Sequence, residues 1–177
     1  MLELIIIVLI LAADQISKHL IQLALSPVGT SLPLIGGVLQ FTNVHNTGAA
    51  WGLMEGFRWL FIPMTLIVAG ILIYIIVRFR KDLCTFSRIT LALLFAGAVG
   101  NFIDRAVLAY VRDFIDITPL FNFPVFNVAD SSLSIGCAML VIDALFLKDK
   151  SLFERITFKK AKDKPEPKPE QTGSEHA

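Results

Sequence analysis

The sequence predicts an all-α membrane protein: four transmembrane helices with a small extracytoplasmic β-sheet cradle. Three observations predict it. Of 177 residues, 55% are hydrophobic and only 18% charged, where an ordinary soluble domain carries about a quarter charged. The mean hydropathy is +0.68. Four runs, 1–25, 59–77, 89–108 and 128–147, each supply the roughly 20 apolar residues that a helix needs to cross about 30 Å of hydrocarbon.

The first run lacks a basic leading region and stays apolar past Asp14 and Lys18 to Leu25, so it reads as a retained helix rather than a cleaved leader. The connection 26–57 contains no Lys or Arg. Within it Val38 to Val44 alternates as a short strand does, behind turn material at Pro33, Gly36 and Gly37. A small sheet at the outer surface is expected there, followed by the Gly- and Ala-rich stretch 46–52. The second span carries no charge, and the link after it holds Arg78, Arg80, Lys81 and Arg88. By the positive-inside rule that link and both termini are cytoplasmic, and the connections 26–57 and 109–127 face outward. Trp51, Trp59 and Tyr110 then fall at the outer boundary. These readings give a membrane domain over 1–150 with its cradle at about 26–57, and a charged, proline-rich cytoplasmic tail over 151–177 that is expected to be disordered.

Composition also excludes several functions. The net charge is +1, and residues 1–147 hold 8 basic and 9 acidic side chains, so no basic face for nucleic acid exists. Cys84 and Cys137 lie in segments of different character and the three His show no paired spacing, which points to chemistry without a metal or other cofactor. No internal repeat is visible, against a transporter built from inverted halves.

Ionisable side chains in a spanning helix cost about 2.5–3.5 kcal/mol each and are kept mostly for a purpose. Here the polar residues of the spans converge on one depth: Asp14 and Lys18 in the first span, Asn101, Asp104 and Arg105 in the third, Asp130 at the start of the fourth. Asp14 and Lys18, four apart, share a helix face and suit an internal ion pair. Gly97 and Gly100 permit close approach of a neighbouring helix. Arg105 suits gripping a carbonyl or a headgroup, or a salt bridge to Asp104. Asp130 also fits a helix N-cap or first-turn carboxylate, and Asp143 an interfacial acid beside Lys148.

Several acids at one membrane face, with no metal or thiol, suit an aspartic-protease pair. Two carboxylates sharing one proton let one act as base toward water while the other protonates the substrate carbonyl. A turn through Pro119 and Pro124 could bring Asp113 to Asp130, and Asp116 fits nearly as well. The alternative is a proton-coupled carrier or channel component using intramembrane carboxylates.

Five motifs carry a resemblance: Asp14-Gln-Ile-Ser-Lys18, Asn46-Thr-Gly-Ala-Ala-Trp51, Gly100-Asn-Phe-Ile-Asp-Arg105, Val111-Arg-Asp-Phe114 and Phe126-Asn-Val-Ala-Asp130. In this order the sequence closely resembles lipoprotein signal peptidase, or signal peptidase II, over about residues 4–147. The resemblance implies a bacterial inner-membrane aspartic endopeptidase that cuts prolipoproteins just before a diacylglyceryl-modified cysteine. It implies Asp113 and Asp130 as the catalytic pair, which decides against Asp116. It further implies Asn46, Asn101, Arg105, Asn127 and Ala129 around the substrate, with Asp14, Lys18, Gly48, Gly100 and Asp104 in support. The expected partners are lipidated precursors and membrane lipid, acted on by a monomer.

Overall fold

The computed structural model describes residues 1–48 and 54–147, together with 152, 154 and 156. Four helices, α1 (Leu2–Ala24), α2 (Arg58–Phe79), α3 (Thr85–Val107) and α4 (Val128–Phe146), are long and apolar enough to cross a membrane. Three strands, β1 (Ser31–Ile35), β2 (Leu39–Asn46) and β3 (Val111–Asp116), form one antiparallel sheet in the order β1-β2-β3.

The first helix is turned inside out relative to one in a soluble bundle. In α1 the buried residues are Glu3, Ile7, Asp14 and Lys18, one stripe at helical spacing in which three of the four side chains are ionisable. Leu4, Ile5, Val8, Leu9, Ile16, Leu20 and Leu23 point outward and are exposed. That arrangement is stable only where the surroundings are hydrocarbon. More than half of α2 is exposed as well, with Ile76 and Phe79 its buried residues. The central helix is α3, which packs against the other three. Small residues set its distance from α4: a Cβ on Gly97 would lie 2.5 Å from the Ala129 carbonyl oxygen, and one on Gly136 2.9 Å from Leu94.

Glu3 accepts from Arg88 at 2.6 Å and pairs with Arg80 at 3.4 Å, tying the start of α1 to the α2–α3 link at one end of the bundle. At this end Asp143 is not the interfacial acid expected. It is fully buried and accepts from the Ser87 hydroxyl and, at 2.6 Å, from the Leu152 N–H; Lys148 lies outside the described residues. Leu152 packs with Ile76, Phe79, Leu83 and Leu91, so the packed unit runs past position 150. Ile156 packs against the same cluster and Leu152, Glu154 and Ile156 are helical, so the start of the tail is ordered by apolar contact, contrary to the expectation of disorder from 151; residues beyond 156 lie outside the described residues, as does Trp51.

The sheet caps the opposite end. The strand expected over 38–44 is β2, shifted by one to two residues. The second connection adds β3, with Val44 opposite Asp113, Gln40 opposite Asp116 and Asn46 opposite Val111. Val111-Arg-Asp-Phe-Ile-Asp116 is buried on both faces, which erases the period-two polarity that marks a strand in sequence. Ala109, at φ +73°, turns the chain from α3 into β3, a conformation an L-residue adopts only under tertiary constraint. Tyr110, expected as an interfacial ring, is stacked on His45 with centroids 3.8 Å apart. Trp59 is exposed at the start of α2.

Candidate active site

Backbone pairing after β3 brings the two acids together. Ile115 donates its N–H to the Phe126 carbonyl at 2.7 Å and accepts from the Phe126 N–H at 3.0 Å. The chain therefore doubles back through Pro119 and Pro124 and sets Asn127 at the start of α4 beside Asp113. Asn127 is the N-cap: its side-chain oxygen accepts from the Asp130 N–H at 2.9 Å, and its own N–H donates to Asp130 Oδ2 at 3.1 Å, a reciprocal capping box. Asp130 is thus a first-turn carboxylate and a site residue at once, one oxygen spent on the cap and the other, Oδ1, accepting from Asn101 Nδ2 at 2.6 Å.

Three asparagine amides hold the pair. Asn127 Nδ2 donates to Asp113 Oδ1 at 2.6 Å and Asn46 Nδ2 to Asp113 Oδ2 at 2.9 Å, while Asn101 serves Asp130. In each the amide oxygen is anchored elsewhere: Asn46 Oδ1 on the Gly48 N–H at 2.9 Å, Asn127 Oδ1 on the Asp130 N–H, Asn101 Oδ1 on Lys18 Nζ at 3.1 Å. The donating end of every amide must then face a carboxylate.

Behind the amides lies a charged layer whose centre, Asp14, Lys18 and Asp104, is fully buried. Lys18 Nζ is 2.8 Å from Asp14 and 3.4 Å from Asp104. Asp14 also accepts from the Ala129 N–H at 2.9 Å. Asp104 binds Arg112 rather than Arg105, at 2.7 Å to its Nη2, because Arg105 points to the cavity, donates to the Gly48 carbonyl at 3.0 Å and lies over the Phe61 ring. Arg112 and Gln15, which bond to each other at 2.9 Å, complete the layer and were missed in the sequence; the motifs contain both, yet a strand Arg and a helix Gln carry no depth signal of their own.

Asp113, Asp130, Asn46, Asn101 and Arg105 line one cavity of about 640 Å³ whose other wall is apolar, including Phe121, Phe126, Leu133 and Ile135. Two expected substrate residues do not line it. Asn127 is fully buried and acts on the carboxylates. Ala129 is fully buried between α3 and α4, where a Cβ on Gly100 would lie 3.0 Å from its Cβ and 2.9 Å from Asp14. Burial, then the charge of Asp130, pushes the Asp113 carboxyl up to about 7. Asp116 is the opposite case. Burial would raise it, but hydrogen bonds from Thr118, Thr42 and Gln40 hold it down at about 2, an anchor within the sheet that is ionised near neutral pH.

The family model for Signal peptidase (SPase) II matches residues 6–146. The chain belongs to the signal peptidase II family. Relatives named lipoprotein signal peptidase include that of Bacillus subtilis (strain 168), 42% identical over 146 residues that cover 82% of this chain and 94% of the relative. That of Listeria monocytogenes serovar 1/2a is 40% identical over 134 residues, covering 75% and 86%. A solved bacterial membrane enzyme, obtained by the in meso method at 2.3 Å, superposes with a TM-score of 0.74 at 41% identity, covering 84% of this chain and 89% of its own. The signal peptidase II assignment accounts for four spans with a small sheet, and it disfavours the carrier reading.

Proposed function

We propose that Asp113 and Asp130 are the catalytic pair of a membrane aspartic endopeptidase that removes the signal peptide from prolipoproteins, cutting just before the lipidated cysteine. Family membership supports the activity. The observation that carries the residue assignment is the double role of Asn127, whose side chain holds Asp113 and whose backbone N–H holds Asp130, so that both carboxylates line one cavity.

The chemistry follows from two acids holding one proton. Asp113, pushed up to about 7, carries that proton near neutral pH and gives it to the carbonyl oxygen of the scissile peptide. Asp130 takes a proton from water, whose oxygen bonds to the carbonyl carbon. Collapse of the tetrahedral intermediate breaks the C–N bond. The leaving amine receives the proton held by Asp130, and the proton on the former carbonyl oxygen returns to Asp113. Arg105, within the cavity, suits holding a substrate carbonyl. Asn46 and Asn101 reach both the cavity and the carboxylates, and Asn127, Lys18, Asp14 and Asp104 orient them.

The basic α2–α3 link supports a cytoplasmic location for that end and for both termini. The site then lies at the outer leaflet of the bacterial inner membrane, where a diacylglyceryl cysteine would keep its acyl chains. The working unit is taken as a monomer, and the peptidase unit as residues 1–150 with Leu152 and Ile156 packed against it, the charged residues beyond forming an appendage.

The test compares one precursor before and after diacylglyceryl transfer. Cleavage confined to the lipidated form is expected. Equal cleavage of both forms would refute the lipid requirement, and cleavage of neither would refute the activity.

A further inference from the structure

Two cavities meet at Asp113. The larger opens where Phe121 and Ile135 are exposed, along the lipid-facing flank of α4. The smaller, about 260 Å³, lies against β2 and is lined by Val44, His45, Thr47 and Glu55. Asn46, Asp113, Pro124 and Val125 belong to both, so the carboxylate forms part of the partition. Of the residues lining the smaller cavity, Thr47 and Glu55 are the exposed ones, and the Thr47 hydroxyl donates to Glu55 Oε1 at 2.7 Å; this pair is taken as its mouth. Glu55 is the one acidic residue in the connection 26–57, which has no Lys or Arg, and a carboxylate at a rim keeps that rim hydrated.

Each cleavage consumes one water molecule. A lipidated peptide filling the larger, mostly apolar cavity blocks approach from that side, and hydrocarbon blocks it from the flank. Resting on the peptidase reading above, we propose that the smaller cavity is the water inlet of the site: water reaches the aspartate pair through the mouth at Thr47 and Glu55 while substrate occupies the larger cavity. The polar rim, the shared carboxylate and the separate openings give water and substrate different routes to the same atoms.

The test obstructs the mouth without touching the pair. In lipid–detergent micelles with a lipidated precursor, Thr47→Trp should lower kcat about tenfold or more with KM within about twofold of the parent, whereas Thr47→Ala, which loses the bond to Glu55 but adds no bulk, should stay within about twofold in both. Thr47→Cys covers the case in which the Trp variant does not fold. Its kcat should fall on labelling with a small charged methanethiosulfonate and recover on reduction, with the parent, which carries Cys84 and Cys137, treated in parallel. Full kcat in the Trp variant or in the labelled Cys variant would overturn the inlet, as would an equal loss in Thr47→Ala or a loss confined to KM. Asp113→Asn separates the two levels: if it is inactive while obstruction has no effect, the inlet alone fails, and if it turns over normally the catalytic reading beneath it fails.

Discussion

Lys18 donates its ammonium to the side-chain oxygen of Asn101 at 3.1 Å, and that bond decides which end of the Asn101 amide faces Asp130. An ammonium only donates, so the amide must offer it oxygen and turn its N–H toward the carboxylate. A charge buried in α1 therefore sets a hydrogen bond between α3 and α4. Lys18→Met should leave Asp14 and Asp104 short of a cation and cost about 3–5 kcal/mol of stability, with turnover falling as the Asn101 amide is freed. Thermal unfolding in detergent, paired with a cleavage assay, measures both; a variant as stable and active as the parent would contradict the network.

The pH profile follows from Asp113. Its carboxyl is raised by burial and by Asp130, to about 7, so the pair loses its shared proton, and turnover declines, as pH rises through that value. The Asn46 amide favours the charged form and holds the value down. Asn46→Ala should therefore move the alkaline limb of the kcat profile to higher pH. A limb that stays put or moves down would show that Asp113 does not carry the proton.

Asp116 offers the contrast. Its three hydrogen-bonding partners lie in or beside the sheet. Asp116→Asn should cost about 1–3 kcal/mol through lost charge-assisted hydrogen bonds while cleavage persists at temperatures where the variant stays folded. With its carboxyl at about 2 in the folded state against an ordinary 3.8, its contribution is present above about pH 4 and lost as pH falls toward 2. The stability gap between parent and variant should close over that acidic range in thermal unfolding.

Helix spacing is equally testable. At Gly97 a methyl group would meet the Ala129 carbonyl oxygen at 2.5 Å and Leu133 Cγ at 2.7 Å, so Gly97→Ala must push α3 and α4 apart. About 1–3 kcal/mol of destabilisation is expected. Turnover should fall too, because Asn101 and Asp130 sit on those two helices at 2.6 Å. Unfolding and cleavage measured on the purified variant decide it.

The spans were legible because hydrocarbon thickness dictates helix length, and the common level of Asp14, Lys18, Asn101, Asp104 and Asp130 along the bundle, where they bond to one another, followed from counting residues along them. The ion pair of Asp14 with Lys18 was legible for the same reason, since a spacing of four fixes a helix face. β3 was hidden because burial on both faces removes its alternation. Arg112 as partner of Asp104 was hidden because the pairing depends on how β3 leaves Ala109, a tertiary turn that spacing does not encode. Ala129 was read as a substrate contact from its motif, but its small side chain serves α3–α4 contact. The choice between Asp113 and Asp116 could not come from spacing; in the fold the two differ in strand register, with Asp113 opposite Val44 and facing the cavity, and Asp116 opposite Gln40 within the sheet.

The most direct test of the shared-proton pair is cleavage of a lipidated precursor by membrane-inserted Asp113→Asn and Asp130→Asn, each purified and shown to be folded. The account predicts that either substitution alone removes at least about three orders of magnitude of turnover, since one carboxylate cannot protonate the carbonyl and take the water proton in the same step. Turnover near the parental rate in either variant would contradict it.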